Sequence, residues 1–325
     1  ERTKRIMAYT TVNKSSSFMN NKLYTGNGGT QALTGLGFEP SFTWIKQRDN
    51  GVYSNALFDA VRGVGKMLVS NTTAAEGNQT NGVTAFDADG FTIGDFSAGN
   101  YNARKYVSWN WKANGQGSSN TDGSINTTYT SANTTSGFSI SKYTGTGSNA
   151  TVGHGLGAVP KMIITKRLDS TTDWMTYHSS LANTQKVALN STGAVSTSGS
   201  VWNSTTPTSS VFAVGTSADT NNNNSDIIAY CFADVQGFSK MGSYIGNGNA
   251  DGTFVYTGFK PAFVMIKMTS EAQNWGIYDN KRLGYNEVKN VLFPNLSNVE
   301  NTDLAPIDLL SNGFKMRRDA SASDQ

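Results

Sequence analysis

Short apolar runs recur along the chain, and each is introduced by a glycine and a proline. Phe42-Thr43-Trp44-Ile45-Lys46 follows Gly37 and Pro40. Met162-Ile163-Ile164-Thr165-Lys166 follows Gly157 and Pro160, and Phe263-Val264-Met265-Ile266-Lys267 follows Gly258 and Pro261. Runs this short, rich in aromatic and β-branched residues and bounded by turn formers, predict strands. The proline fixes φ where no ladder donor is needed, and the glycine supplies a turn conformation that other residues resist. Two further runs, Val107-Ser108-Trp109-Asn110-Trp111 and Ile228-Ala229-Tyr230-Cys231-Phe232, alternate with period two. That period puts Trp109 and Trp111 on one face, which predicts core. Asp89-Gly90 and Asn312-Gly313 predict hairpin turns before Phe91-Thr92-Ile93 and Phe314-Lys315-Met316. Helix is hard to place; Ala56 to Arg62 predicts one or two turns.

The three Gly-x-x-Pro runs belong to a longer self-similarity. Upstream of each lies Tyr-x-Gly: Tyr24-Thr25-Gly26, Tyr143-Thr144-Gly145 and Tyr244-Ile245-Gly246. Downstream lies an aromatic followed by a polar residue: Phe58-Asp59, Tyr177-His178 and Tyr278-Asp279. Gly90-Phe91, Val211-Phe212 and Gly313-Phe314 continue the series. The expected fold class is therefore all-β, with three tandem β-sandwich repeats of about 100 residues. The expected boundaries are an N-terminal arm over 1–21, repeat one over 22–113, a Ser/Thr/Asn/Gly-rich linker over 114–136, repeat two over 137–236 and repeat three over 237–325. The short join at 237–243 implies close packing between repeats two and three. Asn221 to Asn224 reads as a solvated loop tip. The aromatic strand that closes repeats one and two is expected at about residue 332 in repeat three, past Gln325, so repeat three lacks it. Either the sequence is truncated there or another segment fills the gap, because an unfilled sheet edge is an aggregation hazard.

Composition narrows the function classes. Charged residues make up 15% of the 325 and the net charge is +3 with basic residues scattered, which does not point to nucleic acid or an anionic membrane. Arg2, Lys4 and Arg5 form the one basic cluster, read as a flexible arm or a docking arm. Cys231 is the sole cysteine, so no intrachain disulfide forms. No apolar run approaches the ~18 to 20 residues of a membrane helix, and no signal peptide heads the chain.

The residues that carry chemistry are few. His154 and His178 are the only histidines, too few for a metal site at usable spacing. His154 sits in the turn Gly153-His154-Gly155, and His178 takes the place of Asp59 and Asp279, reading as a surface or loop residue. Asp87 and Asp89 lack the remaining ligands of a calcium loop and read as turn residues. Gly26-Asn27-Gly28-Gly29 and Gly246-Asn247-Gly248 read as hairpin tips and not as phosphate loops. No nucleophile elbow appears. Asp59 and Asp279 cannot share a glycosidase role with repeat two, which has His178 there. No catalytic residue, metal or cofactor is expected. Trp174 and Trp275, with Tyr177 and Tyr278, lie at loop–strand junctions beside Asn and Asp, where a sugar-stacking site would place aromatics. The same placement also suits an ordinary strand start.

Tyr24 to Gly28, Gly37 to Asp49, Tyr106 to Ala113 and Phe254 to Pro261 together resemble repeat-bearing virion structural proteins of marine tailed bacteriophages and cyanophages, some tail-fibre-like, some with a lectin-like or jelly-roll-like sandwich. The resemblance runs from about Tyr24 to the end and brings no catalytic residues. It implies a fibre, appendage or capsid-surface component on the virion exterior. Its partners would be further copies of itself, as a trimer, and other virion proteins. Avidity from many weak contacts would be its mechanism. A lectin-like module that binds host surface polysaccharide is the alternative.

Overall fold

The computed structural model describes residues 9–283, 286–302, 304 and 306–317; Arg2, Lys4 and Arg5 lie outside them. Strands dominate. The first segment holds β1 (Met19–Thr25), β2 (Gln31–Thr34), β3 (Phe42–Gln47), β4 (Ala56–Asp59), β5 (Lys66–Val69), β6 (Gly77–Asn78), β7 (Val83–Asp87), β8 (Gly90–Ile93) and β9 (Lys105–Trp111). The second holds β10 (Tyr129–Asn133), β11 (Phe138–Thr144), β12 (Ala150–Gly153), β13 (Pro160–Arg167), β14 (Met175–His178), β15 (Gln185–Ala188), β16 (Ser196–Thr197), β17 (Val211–Val214) and β18 (Asp226–Ala233). The third holds β19 (Phe254–Tyr256), β20 (Phe263–Ile266), β21 (Gly276–Asp279), β22 (Ile307–Leu310) and β23 (Gly313–Met316). The α-helices described, α1 (Ser97–Asn100), α2 (Gly199–Trp202) and α3 (Ala218–Asn221), are single turns.

The pairings between these strands are antiparallel. The first large sheet runs β1-β9-β3-β4-β5-β6, and the second runs β10-β11-β18-β13-β14-β15-β16. With β10 set aside as an extra edge strand, the two orders correspond strand for strand. Registers correspond too: Phe42 and Trp44 face Trp111 and Trp109, while Met162 and Ile164 face Phe232 and Tyr230. Phe42 pairs with Asp59, Met162 with His178 and Phe263 with Asp279. Smaller sheets, β2-β8-β7, β12-β17 and β19-β23-β22, accompany each segment. In the third segment β20 pairs with β21 alone among the described residues.

Alternation sorts these strands' side chains between two interiors, because successive residues point to opposite faces. On one face Ile45 joins Leu33, Phe58, Val83 and Phe91. Ile163, Ile227 and Cys231 likewise join Val152, Trp202 and Phe212, and Val264 joins Phe314 and Ile307. The other face, with Phe42, Trp44, Trp109, Ile164, Tyr230, Trp275 and Ile277, belongs to one core shared by all three segments. Phe42 packs on Tyr230 with the rings tilted by 34° and 4.6 Å between centroids, and Trp111 meets Phe263 edge-on at 5.4 Å. Burial on both sides is what a run such as Phe42–Gln47, buried at every position, requires.

Several sequence expectations need correction. Ala56 to Arg62 is strand β4 followed by a turn, because Ala56, Leu57 and Phe58 alternate between the two cores. Residues 114–136 are not a free linker: β10 pairs along β11, and Ile125 is buried. β1 begins at Met19, so the expected arm already contributes sheet. Asn221 is buried at the end of α3, where its Nδ2 donates to Ser148 O at 2.6 Å and Gly215 O at 2.7 Å. Asn100 makes the same pair of bonds to Gly29 O and Gly94 O. A short amide that satisfies loop carbonyls looks like a loop residue in sequence. The repeated glycine behaves as read: Gly37, Gly157 and Gly258 have φ of 85°, 66° and 84°.

Gly90 tests the packing of the small sheets. A Cβ there would lie 1.9 Å from Leu33 O, on the paired strand β2. Backbone has to move to relieve that, so Gly90→Ala is expected to cost more than about 2 kcal/mol in urea unfolding.

Candidate functional site

The residues that join the segments form the most organised polar arrangement in the molecule. Three backbone bonds repeat it: Glu76 N–H donates to Leu168 O at 2.8 Å, Val195 N–H to Thr269 O at 3.0 Å, and Glu300 N–H to Arg48 O at 2.9 Å. The acceptors Arg48, Leu168 and Thr269 each lie eight residues beyond Pro40, Pro160 and Pro261. Segment one thus donates to two, two to three and three to one, and the circle closes.

Side-chain donors run round the circle the other way. Trp174 Nε1 donates to Val69 O at 3.0 Å, and Trp275 Nε1 to Ala188 O at 3.0 Å. Asn55 takes the corresponding place in the first segment and donates to Leu296 O at 2.9 Å and Phe293 O at 3.1 Å. The main-chain N–H of each of these three residues is held by an asparagine: Asn71, Asn190 and Asn295. Lys46 reaches Ser297 O at 2.8 Å and Lys267 reaches Thr192 O at 3.1 Å, both across a joint, whereas Lys166 stays within its own segment on Ser170 O. Burial pulls the amines of Lys46, Lys166 and Lys267 down to about 8.

Two buried ion-pair clusters receive aromatic donors across the joints. Asp59 accepts from Arg62 Nε at 2.5 Å, and Arg62 also meets Glu76 at 3.2 Å. Tyr230 O–H of the second segment donates to the same Asp59 at 2.7 Å. Burial, then the Asp59 charge, holds the Tyr230 phenol well above its ordinary range, which keeps it a donor. In the third segment Asp279 accepts from Arg282 Nε at 2.6 Å, Arg282 meets Glu300 at 2.9 Å, and Trp109 Nε1 of the first segment donates to Asp279 at 2.9 Å. The corresponding place in the second segment is different. His178 stands where the carboxylate would be, with Leu181 three residues on where an arginine would be.

The predicted site residues fall inside this arrangement. Trp174 and Trp275 are 0% and 5% exposed, and Tyr177 and Tyr278 are 3% and 4% exposed. A glycan cannot stack on any of them, and the indoles are used between segments. Pro40, Pro160 and Pro261 are all buried, Pro40 and Pro261 shortly before β3 and β20 and Pro160 as the first residue of β13. Asp89 accepts from the N–H groups of Gly35 and Gly37 at 2.9 and 2.6 Å, which is turn chemistry. His154 is buried. Its Nδ1 accepts from Leu156 N–H at 3.2 Å, which leaves Nε2 protonated towards Thr208 O at 3.2 Å. Burial lowers the pKa of both His154 and His178. No group of three or more His, Cys, Asp or Glu among the described residues is placed to hold a metal ion. A recess of about 240 Å³ beside Tyr53, Asn55, Met67 and Phe96 carries no carboxylate, imidazole or amine in its lining. Lys46, Lys166 and Lys267 recur in the sequence, but period alone does not say that Lys46 and Lys267 reach across a joint while Lys166 does not.

A family model matches residues 14–325, a span that takes in every strand described. The chain belongs to the DUF7483 family, a domain of unknown function. No curated protein and no solved structure matches it significantly. The DUF7483 match extends across all three segments and both kinds of joint, so the circle of contacts lies within the family region.

Two outcomes follow for this DUF7483 chain. Tyr230→Phe is expected to cost about 1.5–3 kcal/mol, the range for a bond to a charged group, whereas Asp59→Ala leaves Arg62 buried beside it and is expected to cost about 3–5 kcal/mol. Chemical denaturation of both variants checks the order. For pH, the unfolded chain binds more protons than the folded one once the solution falls below the ordinary histidine pKa of about 6.5, because burial depresses His154 and His178. Stability should therefore be fully present above that pH and decline towards pH 5. Unfolding curves of His154→Gln should show a shallower decline over that interval.

Proposed function

We propose that the chain is one β-sandwich unit built three times, closed into a pseudo-threefold ring, and that it serves as a structural component of a virion exterior. The observation that carries the ring is the set of three corresponding backbone bonds from Glu76, Val195 and Glu300, each ending eight residues past its proline. The shared core supports the same reading, since each unit contributes one sheet face to it. The virion placement rests on the sequence resemblance. It is supported by where the structure spends its aromatic and charged groups: they are consumed in holding units together.

In this reading the chain acts by durable shape and by presenting its outer surface, multiplied by attachment of many copies to a symmetric particle. Loops between paired strands, rich in Asn, Ser, Thr and Gly, form that surface. The carbohydrate reading at Trp174, Trp275, Tyr177 and Tyr278 is not carried forward, because these side chains are buried.

The test is composition of particles. Phage particles banded from a culture that makes the chain are expected to contain it at a fixed ratio to the major coat protein, and an antibody to it should decorate intact particles. Its recovery only in the soluble lysate fraction would reject the virion placement.

A further inference from the structure

The three joints correspond in position but differ in how they are fastened. Residues 72–76, 191–195 and 296–300 are the stretches that end on the joint donors Glu76, Val195 and Glu300. Among the described residues, 72–76 is bonded across its joint by Thr172 N–H to Thr73 O at 3.0 Å and by Glu76 N–H to Leu168 O. The stretch 191–195 is bonded by Lys267 Nζ to Thr192 O and by Val195 N–H to Thr269 O. The stretch 296–300 takes more. Asn55 Nδ2 donates to Leu296 O at 2.9 Å, and Lys46 Nζ to Ser297 O at 2.8 Å. Arg48 holds the Glu300 carboxylate with two bonds, Nε to Oε1 at 3.2 Å and Nη2 to Oε2 at 2.8 Å, beside the backbone bond from Glu300 N–H to Arg48 O. At the other two joints the residues in the place of Arg48 are Leu168 and Thr269, which carry no charge.

Chain separation gives a reason for the difference. Arg48 and Glu300 lie 252 residues apart. The other two joints span 92 (168 − 76) and 74 (269 − 195) residues. The entropy lost on closure rises with loop length, so this joint has the largest cost to offset.

The stretch 296–300 has no regular secondary structure. It is anchored in its own unit on both sides, by Trp275 N–H donating to Asn295 Oδ1 at 3.1 Å and by Asn301 N–H donating to Val291 O at 3.0 Å. A Cβ on Gly51 would lie 3.5 Å from Asn298 Cα, so the stretch rests directly on the 48–55 loop. The groups that hold it keep other partners if it lifts. Glu300 retains Arg282 Nη1 at 2.9 Å and Asn290 Nδ2 at 3.1 Å from its own unit. Lys46 retains Tyr53 O at 2.9 Å, and Asn55 retains Phe293 O at 3.1 Å. Arg48, with a side chain 17% exposed, needs little movement to reach water. Undocking therefore orphans no buried charge, whereas withdrawing Tyr230 from Asp59 or Trp109 from Asp279 would open the shared core.

We propose, on the threefold reading above, that residues 296–300 are a closing clasp that docks on the 48–55 loop as a separate reversible step, with Arg48 as its anchor. The shared core and the other two joints stay intact when it lifts. Local openings of this kind occur well below the free energy of global unfolding and are read by amide exchange.

The three joint donors give one amide per joint at the same position, so each controls for the others. In hydrogen exchange of the intact chain, Arg48→Gln is expected to speed the Glu300 amide by at least about tenfold and to leave the Glu76 and Val195 amides within about twofold. A second variant carries Gly51→Cys and Asn298→Cys in the otherwise unchanged chain, where Cys231 is 0% exposed and does not compete. Oxidising that pair is expected to slow the Glu300 amide by at least about tenfold, and reduction to restore it. Equal acceleration of all three amides by Arg48→Gln would overturn the clasp, since the joints then open only together. An unchanged Glu300 amide in Arg48→Gln, or one indifferent to the disulfide, would overturn it as well. Absence of the chain from particles has no bearing on these rates, so the clasp and the virion placement fall separately.

Discussion

A strand buried on both faces must satisfy two interiors at once, and everything else in this molecule is arranged around that constraint. β3, β9, β13 and β18 each send one set of side chains into their own unit and the other into the shared core. Neither set is free to change polarity, because each methylene buried contributes roughly 0.8 kcal/mol and an orphaned polar group costs more. The sheets therefore cannot be peeled from the centre without exposing aromatics from all three segments together. Low overall charge is compatible with this, since so little of each large sheet faces water.

Apolar packing alone would leave the three faces free to slide. Direction comes from polar groups that desolvate only when paired. Trp174, Trp275 and Asn55 each find a carbonyl of the neighbouring segment, and the buried carboxylates Asp59 and Asp279 are each matched by an arginine and by an aromatic donor from across the joint. Such clusters add little net stability over an apolar replacement, but losing one member is costly. Their effect is to make the wrong register expensive. The opposite senses of backbone and side-chain donation mean that each joint is fastened from both partners.

Strand positions were legible because they depend on local backbone chemistry. Gly37, Gly157 and Gly258 take positive φ, Pro40 and Pro261 precede a strand and Pro160 opens one, and period two follows. Asp59, His178 and Asp279 were placed in one structural slot from sequence spacing, and the registers put them there. The surroundings of Trp174 and Trp275 were not legible. Periodicity tells which side of a sheet a residue lies on, but not whether that side meets water or another segment. The same gap hid Asn221 and residues 114–136, whose composition is that of solvent-facing loops while their side chains close interior hydrogen bonds.

The second segment shows how tightly the slot and its visitor are coupled. A buried carboxylate is tolerable only with its arginine, and the pair is tolerable only with further donors, so the group survives or disappears as a whole. His178 and Leu181 stand in place of both, and Val195, whose N–H makes the corresponding joint bond, stands in place of Glu76 and Glu300. This is the one slot that no described aromatic strand enters. Retaining an Asp–Arg pair there would have buried two charges without the third donor that Tyr230 and Trp109 supply elsewhere. A half-buried neutral imidazole beside an aliphatic side chain tolerates a slot with or without an aromatic donor. That tolerance gives a physical reason for the substitution to sit in the second unit and not in the first or third.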